Sequence, residues 1–137
     1  MVSWALETTG LADCKDRPAA SLSGGQRQRA WIAMALAQGT DVLLLDEPTT
    51  YLDVRYQLDI LRLVRELNEK FNLTVVMVLH DINQSLYYSD EIVALADGKV
   101  LAQGAPADVI TRELVRDVYK VDLDVTSVNG KPFVLAV

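Results

Sequence analysis

The sequence has few of the features that mark secreted or membrane-spanning chains. Cys14 is the only cysteine among 137 residues, so no internal disulfide can form. No apolar run approaches the length needed to cross a bilayer, and the start, MVSWALETTG, lacks the basic region and apolar core of a secretory signal. We therefore expect a cytoplasmic chain, and we expect any link to a membrane to go through a partner.

Positive charge is also scarce. Thirteen Lys and Arg stand against 19 Asp and Glu, which gives a formal net charge of −6. A net negative charge disfavours nucleic acid or an anionic lipid surface as a direct electrostatic partner. Half of the residues are hydrophobic, so the chain can bury the core of one ordinary domain.

The stretch from Leu22 to Asp53 has the strongest chemical pattern. It begins with Ser23-Gly24-Gly25, directly before a helix predicted over about Gln26 to Gln38. A helix start presents unpaired backbone N–H groups and a positive dipole end, which outlines an anion site. The apolar run from Ala30 to Ala37 predicts that this helix is buried on most sides.

Two carboxylates follow the next apolar run. Val42 to Leu45 predicts a strand of a parallel sheet covered on both faces, and Asp46-Glu47 would lie at its carboxyl end, where open α/β sheets bind ligands. An acidic pair there suits a metal ion and a general base. Alone, such a pair is more often a solvated strand end, and a Ser-Gly-Gly turn alone is more often a simple loop.

A strand–helix–strand unit is predicted around the carboxylates. Val54 to Phe71 has the spacing of an amphipathic helix, and Thr74 to Leu79 is a second apolar strand. The two strands should therefore be parallel. The lone histidine, His80, follows the second strand at the same sheet edge as the acidic pair. Although a lone histidine is usually structural, this position favours a ligand contact.

Capping and turn signals predict the remaining elements. Asp81 is a candidate N-cap for a helix over about Ile82 to Ser89, and Asp97-Gly98 is a hairpin turn. The other predicted elements are a helix over Ser3 to Thr9, short helices over Pro106 to Ile110 and Thr111 to Tyr119, and a hairpin turning at Asn129-Gly130. Trp4 and Leu11 are candidate core residues.

These motifs together resemble the ATP-binding-cassette (ABC) ATPases. They are LSGGQ at Leu22 to Gln26, LLLDEP ending in the acidic pair, and His80 after a second apolar strand. The resemblance covers essentially the whole chain and implies an α/β fold, a partial P-loop NTPase (RecA-like) core with parallel strands and flanking helices, plus part of the helical signature subdomain. QRAWIAMALAQ, DEPTTYLD, HDINQ and the DGKVLAQGAP hairpin look most like ATPase subunits of importers for ferric siderophores, haem and cobalamin.

The resemblance implies a role for each matching residue. Glu47 would orient or deprotonate the attacking water, His80 would contact the γ-phosphate of ATP, and Asp46 would hold Mg²⁺. The candidates for binding the nucleotide across the interface with a second ATPase subunit are Ser23, Gly24, Gly25, Gln26 and Asp53. Thr50-Tyr51 departs from the usual Ser-Ala before Leu-Asp.

One family motif, the phosphate loop G-x-x-x-x-G-K-[ST], is missing. The only Gly-Lys pair among the seven glycines, Gly130-Lys131, is predicted to be a turn. We therefore expect the phosphate loop to lie upstream of Met1, and the chain to resemble the C-terminal half of the family domain. Its expected parts are a partial helical subdomain (1–40), half of the ATPase core (41–104), and C-terminal helices with a hairpin (105–137).

Two functions stay open at this point. The first is an ATP-hydrolysing subunit that works with a second ATPase subunit and transmembrane permease subunits at the inner face of the membrane. The second is a non-catalytic fragment that associates but binds no nucleotide alone. ABC proteins of DNA repair or translation are disfavoured because no basic tract, coiled-coil insertion or tandem cassette is present. A missing neighbour strand would also favour self-association of the fragment.

Overall fold

The computed structural model describes all 137 residues, which divide into a first unit, Met1–Leu79, and a second unit, His80–Val137. None of the helices combines the length and apolar character that crossing a bilayer requires. The first unit contains α1 (Val2–Thr8), α2 (Gly24–Ala37), β1 (Val42–Asp46), α3 (Val54–Phe71) and β2 (Thr74–Val78). The second contains α4 (Ile82–Tyr88), β3 (Ile92–Ala96), β4 (Lys99–Gly104), α5 (Pro106–Val109), α6 (Arg112–Tyr119), β5 (Asp124–Val128) and β6 (Lys131–Leu135).

The predicted parallel pair is confirmed in the first unit. β1 and β2 are parallel, with Val42 opposite Thr74 and Asp46 opposite Val78. Helix α3 connects them, and its regular apolar stripe buries Ile60, Leu61, Leu63, Val64 and Leu67. The α/β class predicted from the sequence is therefore present.

The core of the first unit lies between its helices and one face of the sheet. Ile32 and Leu36 of α2 pack in one cluster with Leu43 of β1 and with four residues of α3, namely Ile60, Leu63, Val64 and Leu67. Leu11 is buried, as predicted, and Trp4 packs against the cluster and meets the Phe71 ring edge-on at 5.1 Å. Arg29 of α2 donates to the carbonyl of Thr9, 3.0 Å away, and so ties α2 to the end of α1.

The expectation that the sheet is covered on both faces is wrong. Successive strand residues point to opposite faces, and only the face with Leu43 meets the helices. The other face, which we name the open face, carries the apolar residues Val42, Leu44, Val76 and Val78 together with Asp46 and Thr74. Leu44 is 74 % exposed there. A continuous apolar run therefore overstated the burial of this sheet.

The expectation that α2 is buried on most sides is also wrong. Its buried residues lie on one side, where Ile32 and Leu36 meet the core. Trp31 and Met34, on other sides, are 63 % and 57 % exposed because no element of the chain covers them.

The second unit has two antiparallel hairpins, as predicted. β3 pairs with β4 and β5 with β6, and the turns at Asp97-Gly98 and Asn129-Gly130 adopt the positive φ angles that their sequences favour. Thr111 caps α6 by accepting from the N–H of Leu114. A small core of Leu86, Val115 and Val134 joins α4, α6 and the second hairpin.

Candidate functional site

The start of α2 is a closed capping box. Ser23 Oγ accepts from the N–H of Gln26 at 3.2 Å, and Gln26 Oε1 accepts from the N–H of Ser23 at 3.0 Å. This reciprocal pair starts the helix at Gly24, two residues before the predicted start. The signal was in the sequence, because Ser-x-x-Gln before an apolar run is a capping-box pattern.

The capping box engages some of the backbone N–H groups at the helix start and leaves others without a partner in the chain. It engages the N–H groups of Ser23 and Gln26, and the N–H of Arg27 bonds to the carbonyl of Ser23 at 2.8 Å. The N–H groups of Gly24 and Gly25 make no hydrogen bond within the chain, and the Ser23 hydroxyl accepts one bond while its proton stays available to donate. Ser23, Gly24 and Gly25 are also the residues that the sequence named as candidates for an anion.

The two glycines differ in their surroundings. A Cβ added at Gly25 would lie 2.9 Å from Cδ1 of Tyr56, whereas one at Gly24 would lie 3.5 Å from Cδ2 of Leu52. Gly25 is therefore needed for the close approach of α2 to α3, while Gly24 has ordinary van der Waals room. Asp53 lies nearby as the N-cap of α3, accepting from the N–H of Tyr56 at 3.2 Å. The structure thus places the LSGGQ stretch beside the loop that ends at Asp53.

Cys14 contacts the side chain of Gln26 near the start of α2. Its Sγ accepts from Nε2 of Gln26 at 3.8 Å and from Nη1 of Arg17 at 3.9 Å. Both ends of the Gln26 amide are therefore engaged inside the chain. The sequence carried no signal for this contact, because the two residues are joined only through the fold.

The acidic pair ends strand β1. Asp46 is its last residue, and the N–H of Glu47 continues the ladder by donating to the carbonyl of Val78 at 3.0 Å. Glu47 is exposed and has a φ of +51°, and Thr50 Oγ1 lies 3.5 Å from its Oε2. A left-handed non-glycine residue costs about 1–3 kcal/mol and is frequent where a side chain must be aimed. The turn carries the Glu47 carboxylate out of the sheet ladder.

No group of three or more metal-ligating side chains occurs in the chain. Mg²⁺, however, is commonly held by one or two carboxylates while phosphate oxygens and water complete its shell. Asp46 is therefore compatible with a Mg²⁺ whose other ligands are phosphate oxygens and water.

His80 is the first residue of the second unit and is exposed. The predicted N-cap next to it is confirmed, since Asp81 Oδ1 accepts from the N–H of Gln84 at 2.9 Å and α4 begins at Ile82.

Partial burial, and to a smaller degree the charge of Asp81, raise the pKa of Tyr119 above its ordinary value.

Comparison with known proteins identifies the family. Residues 1–50 match the family described as "ABC transporter". The petrobactin import ATP-binding protein FpuC of Bacillus anthracis is 50 % identical over 133 residues, covering 97 % of this chain and 49 % of that protein. The ferric enterobactin transport ATP-binding protein FepC of Escherichia coli (strain K12) is 50 % identical over 118 residues, covering 86 % and 44 %. The chain spans about half the length of the curated relatives it matches.

Solved structures agree with the sequence matches. An ABC transporter in an inward-facing conformation superposes with a TM-score of 0.88 at 28 % identity, covering 98 % of this chain and 55 % of that one. A dimeric bacterial ABC transporter cassette superposes with a TM-score of 0.61 at 39 % identity, covering 74 % and 45 %. The fold and the sequence therefore agree that this chain belongs to the ABC transporter family.

Proposed function

We propose that this chain is the part of an importer ATPase that carries the LSGGQ signature (Leu22 to Gln26), the catalytic carboxylate Glu47 and His80. The importer takes up an iron–siderophore or a related metal chelate. The relatives FpuC and FepC are, by name, ATP-binding proteins of petrobactin import and ferric enterobactin transport. Because the chain spans about half of their length, the activity belongs to a longer assembly that also supplies a phosphate loop.

The capped start of α2 is the observation that carries this proposal. Its three available donors, the Ser23 hydroxyl and the N–H groups of Gly24 and Gly25, suit an anion such as the γ-phosphate of ATP held by a second ATPase subunit. Phosphoryl transfer depends mainly on positioning and on charge stabilisation, which such donors supply without rearrangement. Gln26 and Asp53 shape this surface through their caps on α2 and α3.

The acidic pair supplies the remaining chemistry in the first unit. Glu47 orients or deprotonates the attacking water, and its left-handed backbone supports an aimed side chain. Asp46 would hold Mg²⁺, which would supply charge neutralisation at the phosphates when bound with ATP. His80 contacts the γ-phosphate.

The proposed partners follow from the same family membership. A second ATPase subunit in a head-to-tail dimer provides the nucleotide that the signature covers, and one structural neighbour is a dimeric cassette. Transmembrane permease subunits then hold the protein at the inner face of the cell membrane. The net charge of −6 supports the expectation that nucleic acid is not a partner.

The second candidate function, a non-catalytic chain that acts only through association, has one observation in its favour. No G-x-x-x-x-G-K-[ST] loop occurs in the sequence. In that case the α2 start would be a structural capping box and nothing more.

A hybrid cassette separates the two candidates. We would join the phosphate-loop half of a relative to this chain and measure ATP hydrolysis. Glu47→Gln should lower turnover by about 100-fold or more and leave ATP binding intact, because the amide keeps the shape but loses the base. His80→Ala should lower turnover strongly through the loss of a phosphate contact.

The matched control is Glu66→Gln, which changes an exposed carboxylate on α3 that pairs with Lys70 at 3.2 Å. Its turnover should equal that of the parent hybrid. If Glu47→Gln also retains near-normal turnover, Glu47 is not the base. A hybrid that binds ATP but does not hydrolyse it would support the non-catalytic alternative.

A further inference from the structure

We propose that Asn83 and Lys131 are positioning residues for His80. The hairpin formed by β5 and β6 holds helix α4 at both ends, and α4 in turn sets the position of the histidine. The inference rests on the proposed role of His80 at the γ-phosphate and adds the device that keeps the side chain in place.

The short length of α4 makes this support necessary. The helix has 7 residues, from Ile82 to Tyr88. Isolated helices of this length are not stable in water, so its position depends on what it packs against. Asp81 is the N-cap, and His80 is joined directly to it. With no residue between the histidine and the cap, a shift of the helix moves the histidine.

Asn83 holds the first turn of α4. Its Nδ2 donates to the carbonyl of Val134 at 2.9 Å, and its Oδ1 accepts from the N–H of Val134 at 2.8 Å. The side chain thus pairs with the outer edge of β6 as another strand would. Val134 is fully buried, so removing the amide would leave a backbone donor and acceptor unpaired.

Lys131 holds the last turn. Its Nζ donates to the carbonyl of Tyr87 at 2.7 Å and lies 4.2 Å from the centre of the Tyr87 ring. A cation at a helix C-terminus pairs with the last carbonyls and the dipole, and the ring adds a cation–π contact. Between the two ends, Leu86 packs in one buried cluster with Val134 and Val115. The helix is therefore fixed to the hairpin at its start, middle and end.

The test uses the only histidine in the chain. With ¹³C-labelled histidine, the protein gives a single Cε1–H NMR signal that reports on His80 alone. Asn83→Ala should move this signal toward the position of unstructured histidine, and amide exchange in α4 should rise roughly tenfold for the loss of two hydrogen bonds. Lys131→Ala should change the His80 signal and the exchange rate in the same direction but by less. Lys131→Arg should leave both close to their values in the parent.

Ser127→Ala is the matched control, because Ser127 is exposed on β5 of the same hairpin. It should leave the His80 signal where it is in the parent. The proposal is overturned if Asn83→Ala and Lys131→Ala both leave the His80 signal unchanged. If Asn83→Ala unfolds the second unit, the His80 signals of Lys131→Ala and Lys131→Arg are compared instead, and equal signals in the two variants overturn the proposal.

A failure of the proposed function is distinguishable from a failure of this inference. If His80 does not contact ATP, the hybrid cassette with His80→Ala hydrolyses ATP normally, yet the NMR signal still responds to Asn83 and Lys131. If His80 is functional but not held by the hairpin, turnover falls in His80→Ala, while the NMR signal is the same in Asn83→Ala and Lys131→Ala as in the parent.

Discussion

The candidate site residues of the two units are held in place by different means. In the first unit the contacts are local, since Ser23 and Gln26 are three residues apart, as are Asp53 and Tyr56. In the second unit, α4 behind His80 is fixed from far along the chain, because Asn83 bonds across 51 residues and Lys131 across 44. The capped start of α2 is therefore encoded locally, whereas the position of α4 depends on contacts with residues far along the second unit.

The two units also differ in their exposed apolar surfaces. The largest effect that we expect from these surfaces is self-association. The open face of the first unit carries four exposed apolar side chains, of which Leu44 is 74 % exposed. Exposed apolar faces and sheet edges favour pairing with another copy. We expect the chain to run as a dimer or larger species, which light scattering measures directly.

Two substitutions locate the associating surface. Leu44→Lys should reduce association strongly, because it places a charge in the middle of the open face. Val93→Lys is the matched change in the second unit, at a strand residue that is 52 % exposed. It should reduce association less. A clean monomer at high concentration would contradict the expectation, and equal effects of the two variants would assign association to both units.

The glycine pair of the signature gives a smaller effect on stability. Gly25→Ala should destabilise the chain by about 1–3 kcal/mol, because its Cβ would meet the Tyr56 ring. Gly24→Ala is the control, with room for a Cβ beside Leu52. Urea unfolding of both variants measures the difference. Equal stability of the two variants would mean that α2 can shift away from α3 at no cost.

The smallest expected effect is a pH dependence in the second unit. Burial, then the charge of Asp81, raise the pKa of Tyr119, so the folded state holds the phenol proton more tightly than the unfolded state does. This contribution is fully present below the ordinary pKa of 10.0 and is lost as the pH rises through the higher folded value. Denaturant titrations on both sides of this range should show a loss of stability at alkaline pH that Tyr119→Phe reduces. An identical loss in Tyr119→Phe would assign the dependence to other groups.

Much of the fold could be predicted from local signals. Both hairpin turns and the caps at Asp81 and Thr111 follow from residues that lie close together in the chain. The parallel strands follow from the strand–helix–strand order. The Ser23–Gln26 capping box was equally visible in the sequence, although the helix start was placed two residues late.

The remaining features depend on packing. An apolar run such as Val42 to Leu45 has the same composition whether one face of its strand is covered or two, so the open face could not be predicted. The left-handed backbone at Glu47 also had no signal, because no glycine or asparagine marks that position. The pairing of Asn83 with Val134 is a contact between distant residues that only the folded chain brings together.

We propose that this chain supplies the donors at the start of α2 and the catalytic carboxylate but does not itself hold the nucleotide. Tight binding requires a cradle of backbone N–H groups and a lysine around the β- and γ-phosphates, and none of the seven glycines lies in such a loop. Calorimetry of the purified chain with Mg-ATP tests this claim most directly. We predict no binding tighter than about 1 mM and no hydrolysis, whereas a dissociation constant of about 1 μM would contradict the account.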